Sequence, residues 1–274
     1  TAAFSTGDQF LHLVTRNDLP LPTDLWFPST ATVLPEESMQ AVFGYQTHLF
    51  DRTYFFSVEG YYKTMKHLYE YRDSAIFSLS VPVETQFTTG SGDAYGVELF
   101  LNKQIGAFTG WIGYTLSWTN RVFPELNHGL AYPPRYDERH DIQLVGTYRI
   151  GETWEFGATW TYATGQAYTL PTGQYQLDPS LSHQPVDQLE NTARNGARLP
   201  AFHKLDLNFT HSSVHFGLPW KLSINLYNVY NRKNVFSEFV GVGDPLPNGQ
   251  PGPYVLNQTT LFTFMPTLGL STTF

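Results

Sequence analysis

The sequence predicts an all-β fold, an antiparallel β-barrel that crosses a membrane. Three observations predict it: strands with one apolar and one polar face, an aromatic-rich but charge-poor composition, and alternating short and long connections. In one such strand Phe108, Ile112 and Trp118 share a parity, while Thr109 and Thr115 share the other. Because alternate residues of a strand point to opposite faces, this segment has an apolar face and a polar face.

The composition indicates a protein whose surface is only partly exposed to water. Aromatic residues make up 16% of the chain and charged residues only 15%, whereas a soluble domain carries about a quarter charged residues. No apolar run is long enough for a membrane-spanning helix, so lipid contact would have to be made by strands. The net charge of −8 argues against a nucleic-acid partner, and the lack of cysteine excludes disulfides and thiolate metal sites.

Nine segments have the length and composition of strands, bounded by turn-forming residues. They are residues 38–50, 54–67, 94–104, 108–121, 139–150, 153–165, 201–214, 219–238 and 256–274.

The connections between these segments alternate in length. Tight turns are predicted at 51–53, 105–107, 151–152 and around Gly217. The long connections are 68–93, 122–138, 166–200 and 239–255, which are rich in Pro, Gly, Asn and Asp. In an antiparallel sheet this alternation puts all the turns at one end and all the loops at the other, as in outer-membrane barrels and unlike a soluble β-sandwich.

Charged residues in these strands fall on the polar parity, as Lys221 and Glu155 do. A Lys or Arg that faces lipid near the bilayer midplane costs roughly 2–4 kcal/mol, whereas a wet lumen tolerates it. The apolar faces are therefore predicted to contact lipid, and the polar faces to line the lumen.

An odd number of strands cannot close a bacterial barrel, and open strand edges are not stable in a bilayer. We therefore expect the chain to be the C-terminal part of a larger barrel. In this interpretation residues 1–37 form an extracellular loop segment, and residues 38–274 supply the C-terminal strands.

Several segments resemble the C-terminal strands of TonB-dependent outer-membrane transporters of the Bacteroidetes type. They are residues 58–66, 110–121, 134–141, 199–206 and 226–234, followed by the terminal Phe274. The resemblance implies a 22-stranded barrel with an N-terminal plug, located in the bacterial outer membrane, that takes up nutrients with energy supplied by TonB. It also implies that Phe274 is the signal for barrel assembly. The implied partners are the rest of the barrel, the plug, the TonB complex, lipids and a possible surface lipoprotein.

The resemblance implies that a ligand binds among the external loops, with no cofactor and no covalent chemistry. The aromatic residues of these loops suit a neutral or glycan-like ligand. The candidate binding residues are Trp26, Tyr71, Tyr132, Tyr136 and Tyr168.

The alternatives to active transport are a passive porin and a barrel enzyme. Residues 138–141 (Glu-Arg-His-Asp) contain metal-ligating and acid-base side chains. Neighbouring strand residues point to opposite faces, however, so His140 and Asp141 cannot converge on one ion, and an ion pair between Arg139 and Asp141 is expected instead. No nucleophile motif occurs, so neither a catalytic residue nor a metal ligand is assigned.

Overall fold

The computed structural model describes residues 1–14, 25–73, 75, 81–177, 186–191, 193–248, 250 and 252–273. The strands are β1 Ala2–Gln9, β2 Leu11–Val14, β3 Leu25–Pro28, β4 Glu36–Leu49, β5 Tyr54–Tyr71, β6 Phe87–Lys103, β7 Phe108–Val122, β8 His140–Ile150, β9 Trp154–Ala163, β10 Ala167–Tyr168, β11 Pro171–Leu177, β12 Val186–Asn191, β13 Ala197–Arg198, β14 Phe202–His215, β15 Leu218–Tyr227, β16 Val235–Val242, β17 Tyr254–Thr260 and β18 Met265–Thr272. Two short 3-10 helices span Val83–Gln86 and Asn127–Gly129. No helix in the described ranges has the length and apolar character needed to cross a membrane.

Ten strands form one antiparallel sheet in the order β1-β4-β5-β6-β7-β8-β9-β14-β15-β18. Apart from the short strands inside the loops, each strand of this sheet pairs with the strands that precede and follow it along the chain. Among the described residues, β1 and β18 each pair on one side only, so the sheet is open. This all-β, antiparallel architecture is the predicted one, in the form of a partial barrel.

Tight turns join the strands at one end of the sheet, hereafter the turn end. They connect β4 to β5, β6 to β7, β8 to β9 and β14 to β15. Left-handed backbone conformations close them: Phe50, Asp51 and Arg52 have φ of 52°, 50° and 65°, and Gly151 and Gly217 have φ of 62° and 76°. The predicted alternation of turns and loops is confirmed.

The long connections all lie at the opposite end, hereafter the loop end. They carry four separate two-stranded sheets, β2-β3, β10-β13, β11-β12 and β16-β17. Buried residues concentrate here. One cluster contains Val14, Val33, Tyr69 and Phe87, and the other contains Leu68, Phe123, Leu126 and Tyr132.

The two faces of the main sheet differ as the sequence predicts. Rings on the outer face stack across strands, with Tyr95 and Trp118 5.3 Å apart between centroids and Tyr62 stacked on Tyr95 at 6.4 Å. The inner face carries carboxylates, among them Glu59 and Glu98, which are paired in register on β5 and β6. The outer face therefore suits hydrocarbon and the inner face suits water.

Residues 2–9 differ from the prediction that 1–37 is a loop throughout. They form β1, which pairs with β4 from Ala2 opposite Phe43 to Gln9 opposite Glu36. Their apolar alternation is weak, and backbone hydrogen bonds to β4 rather than side-chain pattern determine this strand. The main sheet therefore has ten strands, and the argument from an odd strand number is wrong. That the sheet is open is shown instead by the unpaired edges of β1 and β18.

The predicted strands 219–238 and 256–274 were each too long. β15 ends at Tyr227, and Asn228 and Asn231 follow with φ of 51° and 56°. Asparagine tolerates this left-handed conformation, which ends the strand. The segments beyond it form the loop hairpin β16-β17, and the chain returns to the main sheet as β18.

Candidate ligand-binding mouth

The loop between β7 and β8 folds inward over the mouth of the sheet. Phe123 and Leu126 of this loop are fully buried against Leu68 of β5. The contact requires glycine at position 90, because a Cβ there would lie 2.5 Å from the Phe123 ring. The inner wall at the loop end is therefore covered by the chain's own loop.

A β-bulge in β5 turns a carboxylate toward this mouth. The register of β5 with β6 shifts between Lys66 and Leu68, and the skipped residue His67 has a φ of 56°. A bulge inserts one residue and so exchanges the two faces of the strand beyond it. Glu70 consequently points inward, whereas Tyr69 and Tyr71 pack outward on Phe87.

Glu70 joins three segments at the mouth. Its Oε1 accepts a hydrogen bond from Arg121 Nη1 at 3.1 Å. Its Oε2 accepts bonds from Arg194 Nη2 at 2.7 Å and from the Tyr132 hydroxyl at 2.9 Å. Arg121 also donates to the Tyr136 hydroxyl at 2.9 Å. These five residues, the Glu70 cluster, connect β5 and β7 to the β7-β8 and β9-β14 loops.

Electrostatics keeps Tyr132 and Arg194, two of the three loop residues of this cluster, protonated. Burial raises the pKa of the Tyr132 hydroxyl, and the Glu70 carboxylate raises it further. Burial alone would lower the pKa of Arg194, but its interactions with Glu70, Tyr132 and Asp73 together outweigh burial, so that pKa is raised. Tyr132 and Arg194 therefore act as hydrogen-bond donors to Glu70 over the whole physiological pH range.

A second carboxylate, Asp137, fixes the end of the β7-β8 loop. Its side chain is fully buried and forms an ion pair with Arg198, while its Oδ1 accepts the backbone N–H of Thr119 at 2.9 Å. Arg139 lies 3.5 Å away on the same carboxylate. A buried carboxylate needs such partners, because an unpaired charge is unstable away from water.

A cavity of about 390 Å³ lies beside these clusters, between the ends of β8 and β9 and the last loop. Its polar lining includes Glu138 and Asp141, and its apolar lining includes Leu199, Phe202 and Phe236. Burial raises the pKa of Glu138, the hydrogen bond from Gln166 opposes this, and the charges of Asp141 and Asp137 add to the rise. The lining of the cavity therefore contains both acidic and apolar groups.

The five aromatic candidates do not form one site. Tyr132 and Tyr136 meet at the Glu70 cluster, whereas Trp26 lies on the β2-β3 hairpin, Tyr71 at the end of β5 and Tyr168 on β10. Trp26 and Tyr136 are 58% and 57% exposed, while Tyr132 and Tyr168 are buried. Trp26 and Tyr136 therefore have the most exposed of the five rings, and Tyr71 is half-buried.

Tyr168 instead links two loops. Its hydroxyl donates to Glu238 of β16, whose other oxygen accepts Gln258 Nε2 at 2.7 Å. Burial, followed by the hydrogen bond to Glu238 and its negative charge, raises the pKa of Tyr168 to about 12.

Sequence reasoning missed the charged residues that organise the mouth, namely Glu70, Arg121, Asp137, Arg194 and Arg198. The one feature of the sequence that could have indicated them is the presence of charged residues next to aromatic residues at the ends of strands. Such a pattern does not reveal which residues pair, because their partners are separated by up to 124 positions in the chain.

The segment at 138–141 behaves as the alternation of strand residues predicts. His140 points outward and its Nδ1 lies 2.9 Å from the Tyr114 hydroxyl, whereas Asp141 lines the inner cavity. The expected ion pair was wrong in its partner, because Arg139 pairs with Asp137 rather than Asp141. Within the described ranges, no group of three or more His, Asp or Glu residues could hold a metal ion. Phe274 lies outside the described residues.

Comparison with known families identifies the barrel. A family model described as TonB dependent receptor-like, beta-barrel, matches residues 16–231. The chain belongs to this family. TonB-dependent receptors are outer-membrane β-barrel proteins, and they are receptors and transporters rather than enzymes. The prediction of a TonB-dependent receptor and the predicted location in the bacterial outer membrane are thus confirmed, and the Bacteroidetes type stays a prediction. No significant sequence match is found among curated proteins.

Solved structures of TonB-dependent receptors have the same fold. The ferripyoverdine receptor of Pseudomonas aeruginosa is 12% identical, with a TM-score of 0.56 over 99% of this chain and 30% of that receptor. The ferric-catecholate import receptor Fiu of E. coli K12 is 16% identical, with a TM-score of 0.51 over 99% of this chain and 32% of the receptor. The FrpB iron transporter of Neisseria meningitidis is also 16% identical, with a TM-score of 0.51 over 88% and 32%. The chain therefore spans about a third of the length of these receptors.

Proposed function

We propose that this chain is the C-terminal part of a TonB-dependent transporter, which takes up a nutrient across the outer membrane. The main evidence for this proposal is that the edges of β1 and β18 are open. In a bilayer each unsatisfied backbone group costs several kcal/mol, so these edges need the remaining strands of a larger barrel. The length of the related receptors supports the same conclusion. The remaining strands, an N-terminal plug and the TonB complex are then the required partners, and a surface lipoprotein stays a prediction.

We infer that the ligand is neutral, with a glycan-like surface. The lining of the mouth cavity includes Glu138 and Asp141, which disfavours an anionic ligand. The exposed rings of Trp26 and Tyr136 supply flat apolar surfaces, which suit stacking on a sugar ring. The related receptors named above are described as binding ferripyoverdine or importing ferric catecholate, so iron chelates are the competing ligand class.

The test is growth of a strain that lacks the gene, with glycans or ferric chelates as the limiting nutrient. We expect growth to fail on one glycan, to return with the intact gene, and to fail again when TonB is removed. Growth that needs the protein but not TonB would indicate a passive porin. Release of a modified nutrient into the medium would indicate a barrel enzyme.

Variants of the intact transporter test the mouth. We expect Tyr136→Ala to weaken binding of that glycan by about fivefold to tenfold, the usual contribution of one stacked ring. Tyr148→Ala is the matched control, because Tyr148 lies on the outer face near the turn end. Equal affinity in the two variants, measured by titration calorimetry, would contradict a ligand site at the mouth.

A further inference from the structure

The outer wall contains a furrow that the transport function does not use. It has a volume of about 520 Å³ and lies on the lipid-facing surface of β6 to β9. Its floor is a row of small residues in register, in which Gly110 of β7 lies opposite Gly146 of β8, and Gly146 lies opposite Ala158 of β9. A convex barrel surface usually presents side chains outward at every such position, so this row leaves a depression, which the edge of the Phe108 ring partly fills at Gly146, 3.2 Å from where a Cβ would lie.

Two rows of large apolar residues form the walls. On the loop side, Ile112, Leu144 and Trp160 lie opposite one another in register. On the turn side, Phe108 lies opposite Tyr148. The furrow is therefore narrow, apolar and bounded along its length, as an acyl chain requires.

The furrow rises from the turn end into the membrane. Lys103 is the last residue of β6, and it lies opposite Gly110, which is the third residue of β7. Gly146 and Ala158 each lie four residues from the turn-side ends of their strands, Ile150 and Trp154. The steps from Lys103 to Gly110 and from Gly110 to Gly146 thus lead from the interface toward the hydrocarbon, and the step to Ala158 keeps the same depth.

The positively charged residue Lys103 lies where the furrow meets the turn end. Lys103 Nζ donates to the carbonyl oxygens of Ile105 and Phe108 at 2.5 and 2.7 Å, which hold the ammonium at the turn. An ammonium has three N–H donors, so one is left for a ligand. Among the described residues no carboxylate forms a salt bridge with Lys103.

We propose that this furrow binds one anionic phospholipid of the periplasmic leaflet. Its phosphate contacts the Lys103 ammonium, and one acyl chain lies between the two walls, over Gly110 and Ala158. Two features favour this occupant. Lys103 lies at the membrane interface, where a lysine attracts anionic lipid, and the apolar floor begins next to it on the side toward the hydrocarbon. The turn end is periplasmic in an outer-membrane barrel, where phospholipids form the leaflet.

The test measures quenching of Trp160 fluorescence by brominated lipid. The intact receptor, with Trp160 as its single tryptophan, is reconstituted into bilayers with phosphatidylglycerol or phosphatidylcholine brominated at mid-chain. We expect about a fivefold higher relative association constant for phosphatidylglycerol. A receptor with Trp118 as its single tryptophan should show no preference, because Trp118 lies near the loop end of the outer face.

Two variants separate the headgroup contact from the chain contact. Lys103→Gln should abolish the preference for phosphatidylglycerol, whereas Lys221→Gln, an equal change of charge on the inner face, should not. Ala158→Leu should lower quenching by both lipids, whereas Ala41→Leu, the same added bulk on β4, should leave it unchanged. Folding of every variant is checked by heat-modifiable mobility. Equal quenching by both lipids at Trp160, unaffected by Lys103→Gln, would mean non-specific boundary lipid only and would overturn the proposal.

Discussion

Glu70 is the residue on which the packing of the mouth depends most. It accepts hydrogen bonds from two arginines and one tyrosine, and its side chain is 17% exposed. Replacing it with alanine leaves both guanidinium groups without their main acceptor. We expect Glu70→Ala to lower the free energy of unfolding of the intact protein by about 2–3 kcal/mol, measured by urea titration in detergent.

Glu155→Ala is the control for this loss. Glu155 pairs with Arg149 at 3.1 Å, but the two side chains are 39% and 68% exposed, so the pair is screened by water. Its removal should change the free energy of unfolding by less than about 1 kcal/mol. Similar losses in both variants would show that the Glu70 cluster contributes no more than a surface ion pair.

The inward direction of Glu70 could not be predicted from the sequence. Simple alternation from Lys63 or Met65 places position 70 on the outer face, and only the bulge at His67 reverses this. Nothing local to His67 identifies it as the bulged residue. The same holds for Asp137 and Arg198, whose pairing depends on where a long loop returns to the sheet.

At the level of elements, the β7-β8 loop depends on the absence of a side chain in β6. A Cβ at Gly90 would lie 2.5 Å from the Phe123 ring and 2.6 Å from the Val122 carbonyl oxygen. We expect Gly90→Ala to displace this loop, to lower the free energy of unfolding by about 1–3 kcal/mol and to speed proteolysis of residues 123–139.

Gly60→Ala provides the comparison for Gly90→Ala. The nearest atom to a Cβ at Gly60 is the Gly96 carbonyl oxygen at 3.9 Å, so the added methyl group fits. Proteolysis and unfolding should then match the wild-type protein. If Gly90→Ala behaves in the same way, the loop is not held by close contact with β6.

Strands were predicted well where alternation is strong and poorly where it is weak. The strands β7, β8 and β9 have most of their large residues on one parity and agree with the sequence to within a few residues. β1 has few large residues and was missed. The break after Tyr227 was also missed, because the alternating pattern continues in the loop hairpin beyond it.

For the whole molecule, assembly into the outer membrane is the property to test. The resemblance to the transporter family implies that the terminal aromatic Phe274 is read by the assembly machinery. We expect deletion of Phe274 from the intact protein to lower the amount of folded, heat-modifiable protein in the outer-membrane fraction severalfold. Replacing Phe274 with Tyr, which keeps an aromatic ring, should preserve that amount. Equal levels of wild-type and deleted protein would reject the role.

The class of the molecule follows from the sequence, because alternation, aromatic content and connection lengths are local properties that a lipid environment directly constrains. These properties specify which face of a regular strand meets hydrocarbon and which end of the sheet carries the loops. The tertiary structure alone decided the pairing of β1, the reversal of faces at His67, the packing inside the mouth and the furrow on the outer wall. Each of these depends on register between distant segments, and register is set by backbone pairing across the sheet rather than by the residues of one segment.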